Sequence, residues 1–159
     1  MKYQVHDRVM HWTYGTGEIV SIEQKTLSGD TREYYVFQTN DLTLWVPADE
    51  AGENNLRPPL KGDEFRQQLK ALKQPAHPLP DQPYPRQNEL MERMRNRSLV
   101  DICSVIRDLT AREKNTRLNR SDQDIMNRAQ SLLIDEWQLS LGGERQEIER
   151  ELYALLHKE

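Results

Sequence analysis

The sequence predicts an α+β protein in which a small, strongly bent β sheet or barrel precedes a bundle of helices. Three observations support this prediction. Segments rich in β-branched and aromatic residues alternate with turn signals up to Pro47, prolines crowd residues 75–85, and apolar residues recur at helical spacing beyond them. We therefore expect a β module at 1–60, a short helix and linker at 61–85, and a helical module at 86–159.

The first module contains four expected strands, at residues 7–12, 17–24, 31–39 and 42–46. Gly15 and Gly17 lie between the first two strands, where glycine permits the positive φ that a sharp corner requires. Pro47 ends the last long strand, because proline has no backbone N–H to donate to a ladder. Strands of this length with tight turns indicate a sheet that bends strongly.

The segment between the modules changes from a helical pattern to a proline-rich composition within a few residues. Phe65, Leu69 and Leu72 lie at helical spacing and predict a short helix over 63–73. Five of the eight prolines then fall in 75–85. Proline fixes φ and removes a backbone donor, so this stretch favours extended conformations and resists both helix and sheet. We expect it to form the linker between the two modules.

The second module is expected to contain four helices with short connections, which is typical of a compact bundle. The first is a short basic helix at 88–97, and the other three carry apolar stripes. Ser98 with Asp101, and Ser121 with Asp124, have the spacing of helix-capping pairs and predict where two of these helices begin.

Composition argues against several classes of function. No run of about 18 apolar residues is present, so no membrane-spanning helix is expected, and the N-terminus has no apolar signal core. The single cysteine, Cys103, excludes an internal disulfide and fits a reducing cytoplasm. The four histidines have no metal-ligand spacing, and no nucleophile–base pair stands out. We therefore expect a binding protein without metal or cofactor, and not an enzyme.

The charge is unevenly distributed along a chain whose net charge is −4. Residues 86–120 carry nine basic and five acidic side chains, and eight of the nine basic residues are arginine. Tyr84 stands at the leading edge of this basic block, between two prolines. Arginines beside an exposed aromatic ring could bind nucleic acid, but a solvated helix surface with pairs such as Glu89 with Arg93 explains the same residues. Residue types alone leave both interpretations open.

A set of motifs, in the same order along the chain, resembles the CarD family of bacterial transcription regulators. They are VHDRVMH at 5–11, YGTGEIV at 14–20, EYYV at 33–36, VP at 46–47, LRP at 56–58, VIRDL at 105–109 and AQSLL at 129–133. The first module is also similar to the polymerase-interacting domain of transcription–repair coupling factors.

The resemblance implies a fold and a mechanism. A Tudor-like barrel would bind the β subunit of RNA polymerase, and the helical module would contact promoter DNA at the upstream edge of the melted −10 region. There an aromatic wedge in the minor groove would stabilise the open complex. The protein would be a cytoplasmic monomer, associated with the nucleoid through polymerase, with no membrane partner. Weak DNA binding would suffice, because tethering to polymerase raises the effective concentration.

The resemblance also implies site residues. The polymerase-binding residues would be Lys25, Glu33, Trp45 and Pro47. The DNA-binding residues would be Tyr84, Arg86, Arg93, Arg95, Arg97 and Arg120. Two positions depart from the family pattern: the wedge is usually a tryptophan, and Trp45 occupies a position that is often basic. The acidic total and the missing tryptophan leave a second hypothesis open, a polymerase-binding adaptor that does not contact DNA.

Overall fold

The computed structural model describes residues 1–157. The chain divides into two compact units, Met1–Pro59 and Leu60–Glu159, each with its own hydrophobic core. The β unit contains β1 (Arg8–His11), β2 (Gly15–Leu27), β3 (Asp30–Gln38), β4 (Thr43–Pro47), α1 (Glu50–Glu53) and β5 (Leu56–Arg57). The helical unit contains α2 (Gly62–Leu69), a 3-10 turn (Lys70–Lys73), α3 (Pro83–Arg95), α4 (Leu99–Glu113), α5 (Arg120–Leu141) and α6 (Arg145–Leu156).

The β unit is an open antiparallel sheet with the strand order β4-β3-β2-β1-β5. This corrects the expected barrel, because β4 and β5 stand at the two edges and the sheet does not close. β5 contributes only two residues, too few to continue a ladder around a barrel. The four expected strands are present, and a register shift between Ile19 and Ser21 marks an irregularity of the kind that bends a strand.

The two glycines of the first corner have different roles. Gly15 adopts a φ of 82°, the left-handed conformation that glycine favours. Gly17 is needed for space instead, because a Cβ there would lie 2.6 Å from the Phe37 ring and 2.5 Å from the Gln38 carbonyl oxygen. Phe37 belongs to the buried core of this unit, together with Ile19 and Tyr35. The corner at Gly15–Gly17 therefore packs directly against that core.

The helical unit is built around α4, in which Cys103, Val105, Ile106 and Leu109 are fully buried. The Ser98 side chain accepts a hydrogen bond from the Asp101 N–H, so α4 begins at the expected capping residue. α5 begins earlier than expected, because Asn119 rather than Ser121 caps it. Among residues 1–157, no helix is both long and apolar enough to cross a membrane.

The proline-rich segment differs most from its prediction. α3 begins at Pro83, five residues before the expected helix, because proline is tolerated in a first helical turn whose N–H groups have no partner within the helix. Phe65, Leu72 and Leu79 are buried in the core of the helical unit. Residues 60–82 therefore belong to the helical unit, and the chain passes between the two units at Pro59 and Leu60.

Candidate functional site

One face of the sheet collects most of the residues expected to bind polymerase. Strand register pairs Lys25 with Arg32, Val36 with Trp45, and Tyr34 with both Glu23 and Pro47. Residues paired across an antiparallel ladder lie on the same side of the sheet, and alternate residues along a strand share that side. We call this surface the Trp45 face, defined by Glu23, Lys25, Arg32, Tyr34, Val36, Trp45 and Pro47.

The Trp45 side chain contacts the Lys25 ammonium and the Glu23 carboxylate on this face. The Lys25 ammonium lies 3.8 Å from the centroid of the Trp45 ring, a cation–π contact. The indole Nε1 donates a hydrogen bond to Glu23 Oε2 at 3.0 Å. Trp45 nevertheless remains 44% exposed. An aromatic ring fixed in orientation but open to solvent is well suited to anchor a protein contact.

The four expected polymerase-binding residues are not all together. Lys25, Trp45 and Pro47 share the Trp45 face, whereas Glu33 pairs with Gln24 and lies on the opposite side of the sheet. Sequence reasoning missed Glu23, although its position two residues before Lys25 places both on the same side of a strand. β4 is also an edge strand, which can accept an added strand from a partner.

In the helical unit, Arg86 is buried rather than available to DNA. Its residue exposure is 3%, and its Nε and Nη2 atoms each lie 3.0 Å from an Asp122 carboxylate oxygen. Nη1 donates to the Asp81 carbonyl at 2.8 Å. The expectation that Arg86 binds DNA is therefore corrected: a guanidinium engaged in this way holds α3 against α5.

Arg93 is also used mainly inside the unit. Its Nη1 lies 2.7 Å from Asp108 Oδ2, and Arg107 Nε lies 2.9 Å from Asp108 Oδ1. The backbone N–H of His77 donates to the same carboxylate at 3.0 Å. Burial by itself would raise the pKa of Asp108, but the hydrogen bonds from Arg107, Arg93 and His77 hold that pKa below its ordinary value. Arg93 therefore stabilises the bundle and presents little of its charge to solvent.

The other expected DNA-binding residues lie at two ends of the bundle. Tyr84 is the second residue of α3 and is 75% exposed. Arg120 is the first residue of α5, and the Arg86–Asp122 pair joins the first turns of these two helices. Arg95 and Arg97 lie at the other end of α3, which has 13 residues and is about 20 Å long.

Two exposed basic residues that were outside the predicted site, Lys114 and Arg117, follow α4 in the connection to α5. Lys114 lines a cavity with Leu72 and Leu155, whereas Arg117 comes just before the α5 cap at Asn119. The Arg86–Asp122 pair joins the first turns of α3 and α5. We call the surface at these two helix starts the Tyr84 end, defined by Tyr84, Arg117 and Arg120. The signal for both missed residues was the basic block at 86–120, to which they belong.

The described residues offer little covalent chemistry. Burial, followed by the charge of Glu136, raises the pKa of Cys103 to about 12, so its thiol is protonated at neutral pH and a poor nucleophile. Within residues 1–157, no three or more His, Cys, Asp or Glu side chains gather as a metal site would require.

Comparison with known proteins matches both units to described domains. Residues 3–59 match the model of the CarD-like/TRCF RID domain, and residues 67–153 match the model of the CarD C-terminal domain. YdeB of Bacillus subtilis (strain 168), which is named as a candidate transcription factor, is 23% identical over 149 residues. That match covers 88% of this chain and 93% of YdeB.

Proposed function

The chain belongs to the CarD family of transcription factors that interact with RNA polymerase, and on this premise we propose a division of labour between its units. The Trp45 face binds the β subunit of RNA polymerase. The Tyr84 end contacts promoter DNA at the upstream edge of the melted −10 region and stabilises the open complex. The protein works in the cytoplasm as a monomer, joined to the nucleoid through polymerase and without a membrane partner.

One observation carries this proposal: Trp45 is exposed and yet fixed by Lys25 and Glu23. Tryptophan is enriched among residues that dominate binding energies, and an ordered ring loses little conformational freedom on binding. Trp45 also lies in an edge strand of the unit that matches the RID domain. These features together support the Trp45 face as the polymerase contact.

The proposed DNA contact is supported by the chemistry of the Tyr84 end. An exposed aromatic ring can wedge or stack against bases, and arginines can contact phosphates or a narrow minor groove. The positive end of the α5 helix dipole also lies there and favours negative charge. The surface is small, so it would act when the β unit holds it near DNA.

A second candidate function is supported by the arginines that form ion pairs within the helical unit. Arg86, Arg93, Arg107 and Arg112 all pair with carboxylates of the helical unit, which reduces the charge available to phosphates. A polymerase-binding adaptor without direct DNA contact fits this observation and the net charge of −4. The two functions differ in salt dependence, because phosphate contacts release counterions and the adaptor would make none.

Binding to the isolated β-subunit lobe tests the polymerase contact. Trp45→Ala should weaken the affinity by about 2 kcal/mol, or roughly 30-fold, and Lys25→Glu should also weaken it. Tyr14→Ala is the matched control, because Tyr14 is an exposed aromatic residue of the same unit outside the Trp45 face. No association of the unchanged protein, or equal affinities for all variants, would reject the proposed contact.

The lifetime of the open complex on purified polymerase tests the DNA contact. Tyr84→Ala and Arg120→Glu should shorten this lifetime, whereas Tyr153→Ala, which alters a 67% exposed tyrosine on α6, should leave it unchanged. Polymerase binding with unchanged lifetimes and no promoter footprint would favour the adaptor instead.

A further inference from the structure

The proline-rich segment before α3 is pinned at two points. We call residues 77–82 the proline strap. At its start, the His77 N–H donates to the buried carboxylate of Asp108 at 3.0 Å. At its end, the carbonyl oxygens of Pro80 and Asp81 accept hydrogen bonds from Arg86 Nη1, at 3.3 and 2.8 Å. Leu79, between the two points, is buried in the helical core. A segment that proline favours as an extended chain is thus held against the bundle.

Arg86 joins three parts of the unit at once. Its backbone N–H donates to the Gln82 carbonyl in the first turn of α3. Its side chain binds the strap through Nη1 and Asp122 of α5 through Nε and Nη2. Every side-chain nitrogen of Arg86 therefore has an acceptor within the protein. Its planar fork suits this task, because lysine could not make these bonds from several directions in one plane.

Tyr84 lies between the strap and Arg86 in the chain, and its residue is 75% exposed. Pro83 and Pro85 on either side of it fix their own φ but have no N–H to donate. The backbone hydrogen bond that closes this turn is therefore the one from the Arg86 N–H to the Gln82 carbonyl, at 3.2 Å. The order of the Tyr84 backbone consequently depends on the contacts that Arg86 makes on either side of it.

We propose that Arg86, paired with Asp122, is a positioning residue that fixes the first turn of α3 and so presents Tyr84 in one direction, without itself contacting DNA. The consequence for transcription rests on the proposed function of the Tyr84 end. The ordering of Tyr84 is a property of the free protein and can be measured separately. A group ordered before binding loses less entropy when it binds, which is the advantage of such a support.

The first test compares the backbone dynamics of two paired variants. Arg86→Met with Asp122→Asn removes both charges together, keeps most of the volume, and avoids leaving a buried charge without a partner. The control, Arg145→Met with Asp135→Asn, makes the same changes in a more exposed ion pair of 2.8 Å in the same unit. Nitrogen-15 relaxation and amide hydrogen exchange of the full-length chain report on the non-proline residues of 77–86.

In the first variant, the order parameter at Tyr84 should fall from about 0.85, a rigid backbone, to below about 0.6. Exchange of the amide of residue 86, which donates to the Gln82 carbonyl, should accelerate at least about tenfold. The control and the buried amides of α4 should not change. Arg86→Lys should give an intermediate result, and it supplies a second measurement if the paired variant folds poorly. A rigid Tyr84 in both Arg86 variants would overturn the proposal.

The second test is a double-mutant cycle on the open-complex lifetime. If Arg86 acts only through Tyr84, adding Tyr84→Ala to the Arg86→Met, Asp122→Asn variant should cause no further loss, and polymerase affinity should stay unchanged. Additive losses would indicate that Arg86 contacts DNA directly and would overturn the proposal. If Tyr84→Ala alone has no effect, the proposed function of the Tyr84 end fails, and the dynamics measurement still decides whether Arg86 positions it.

Discussion

The two units use the same kinds of residue in opposite ways. In the sheet, Trp45, Lys25 and Glu23 contact one another at the surface and remain available to a partner. In the helical unit, Arg86 and Arg93 form ion pairs with the buried carboxylates of Asp122 and Asp108. Tyr84 is exposed, and neither arginine lies beside its ring as Lys25 lies beside Trp45. Lys25 thus belongs to an open surface, whereas Arg86 and Arg93 hold helices of the bundle together.

This difference determines where substitutions should act. Exposed ion pairs contribute roughly 0–1 kcal/mol, and exposed cation–π contacts about 0.5–1 kcal/mol. Removing one partner of a buried pair costs about 3–5 kcal/mol, because a charge is left without compensation. Changes on the Trp45 face should therefore alter binding, and changes to the buried carboxylates should alter stability.

The largest expected effect is on the stability of the helical unit. Asp108→Ala leaves Arg93, Arg107 and the His77 N–H without their shared acceptor, and should lower its free energy of unfolding by about 3–5 kcal/mol. Urea denaturation followed through the buried Trp137 measures this loss. Asp124→Ala, an exposed change on α5, should stay within about 0.5 kcal/mol. Equal losses for the two variants would show that the Asp108 network does not stabilise the unit.

The sheet has its own sensitive position at Gly17. Gly17→Ala would place a methyl group 2.5 Å from the Gln38 carbonyl oxygen, so the β unit should lose about 1–3 kcal/mol through overpacking. Amide hydrogen exchange should show faster opening of β2 and β3, with α4 unaffected. Thr43→Ala, at an exposed strand position, serves as the control. A loss of protection that spreads equally through α4 would show that the effect is not confined to the β unit.

The acid stability of the helical unit should depend on Asp108. Its pKa in the folded protein lies below the ordinary value of 3.8, so its contribution is fully present above that value and is lost as pH falls through the lower folded pKa. Unfolding free energies measured from pH 7 to pH 2 should fall less steeply at the acid end for Asp108→Asn. If the unfolding free energies of the two proteins fall equally steeply at the acid end, Asp108 does not contribute to the acid stability.

The smallest expected effect is on the salt dependence of promoter binding, which should differ between exposed basic residues and the buried Arg86. Arg117→Ser and Arg120→Ser should each reduce the salt-dependence slope of promoter binding by roughly one. The Arg86→Met, Asp122→Asn variant should leave the slope nearly unchanged, because that guanidinium faces Asp122 and not solvent. Titrating salt in a promoter-binding assay with polymerase measures these slopes. A reduced slope in the Arg86 variant would show that the Arg86 guanidinium contacts DNA phosphates.

Local patterns predicted much of the secondary structure, and they failed where an element was very short or contained proline. Composition and turn signals predicted four strands, and Ser98 marked the start of α4, because these signals depend only on neighbouring residues. β5 was missed, since a strand of two residues has no detectable period. The start of α3 was misplaced because prolines that resist helix in the interior are tolerated in a first turn.

By itself, the sequence determined the α+β order of the two units, the family, and the alternation of sides along each strand. The tertiary structure alone decided that the sheet stays open, that strand register brings Lys25 and Trp45 onto one face, that the proline-rich segment packs onto the helical core, and that Arg86 is buried. The reason is physical. Alternation is a local property of a strand, whereas the exposure of an arginine depends on whether a distant carboxylate such as Asp122 is folded against it.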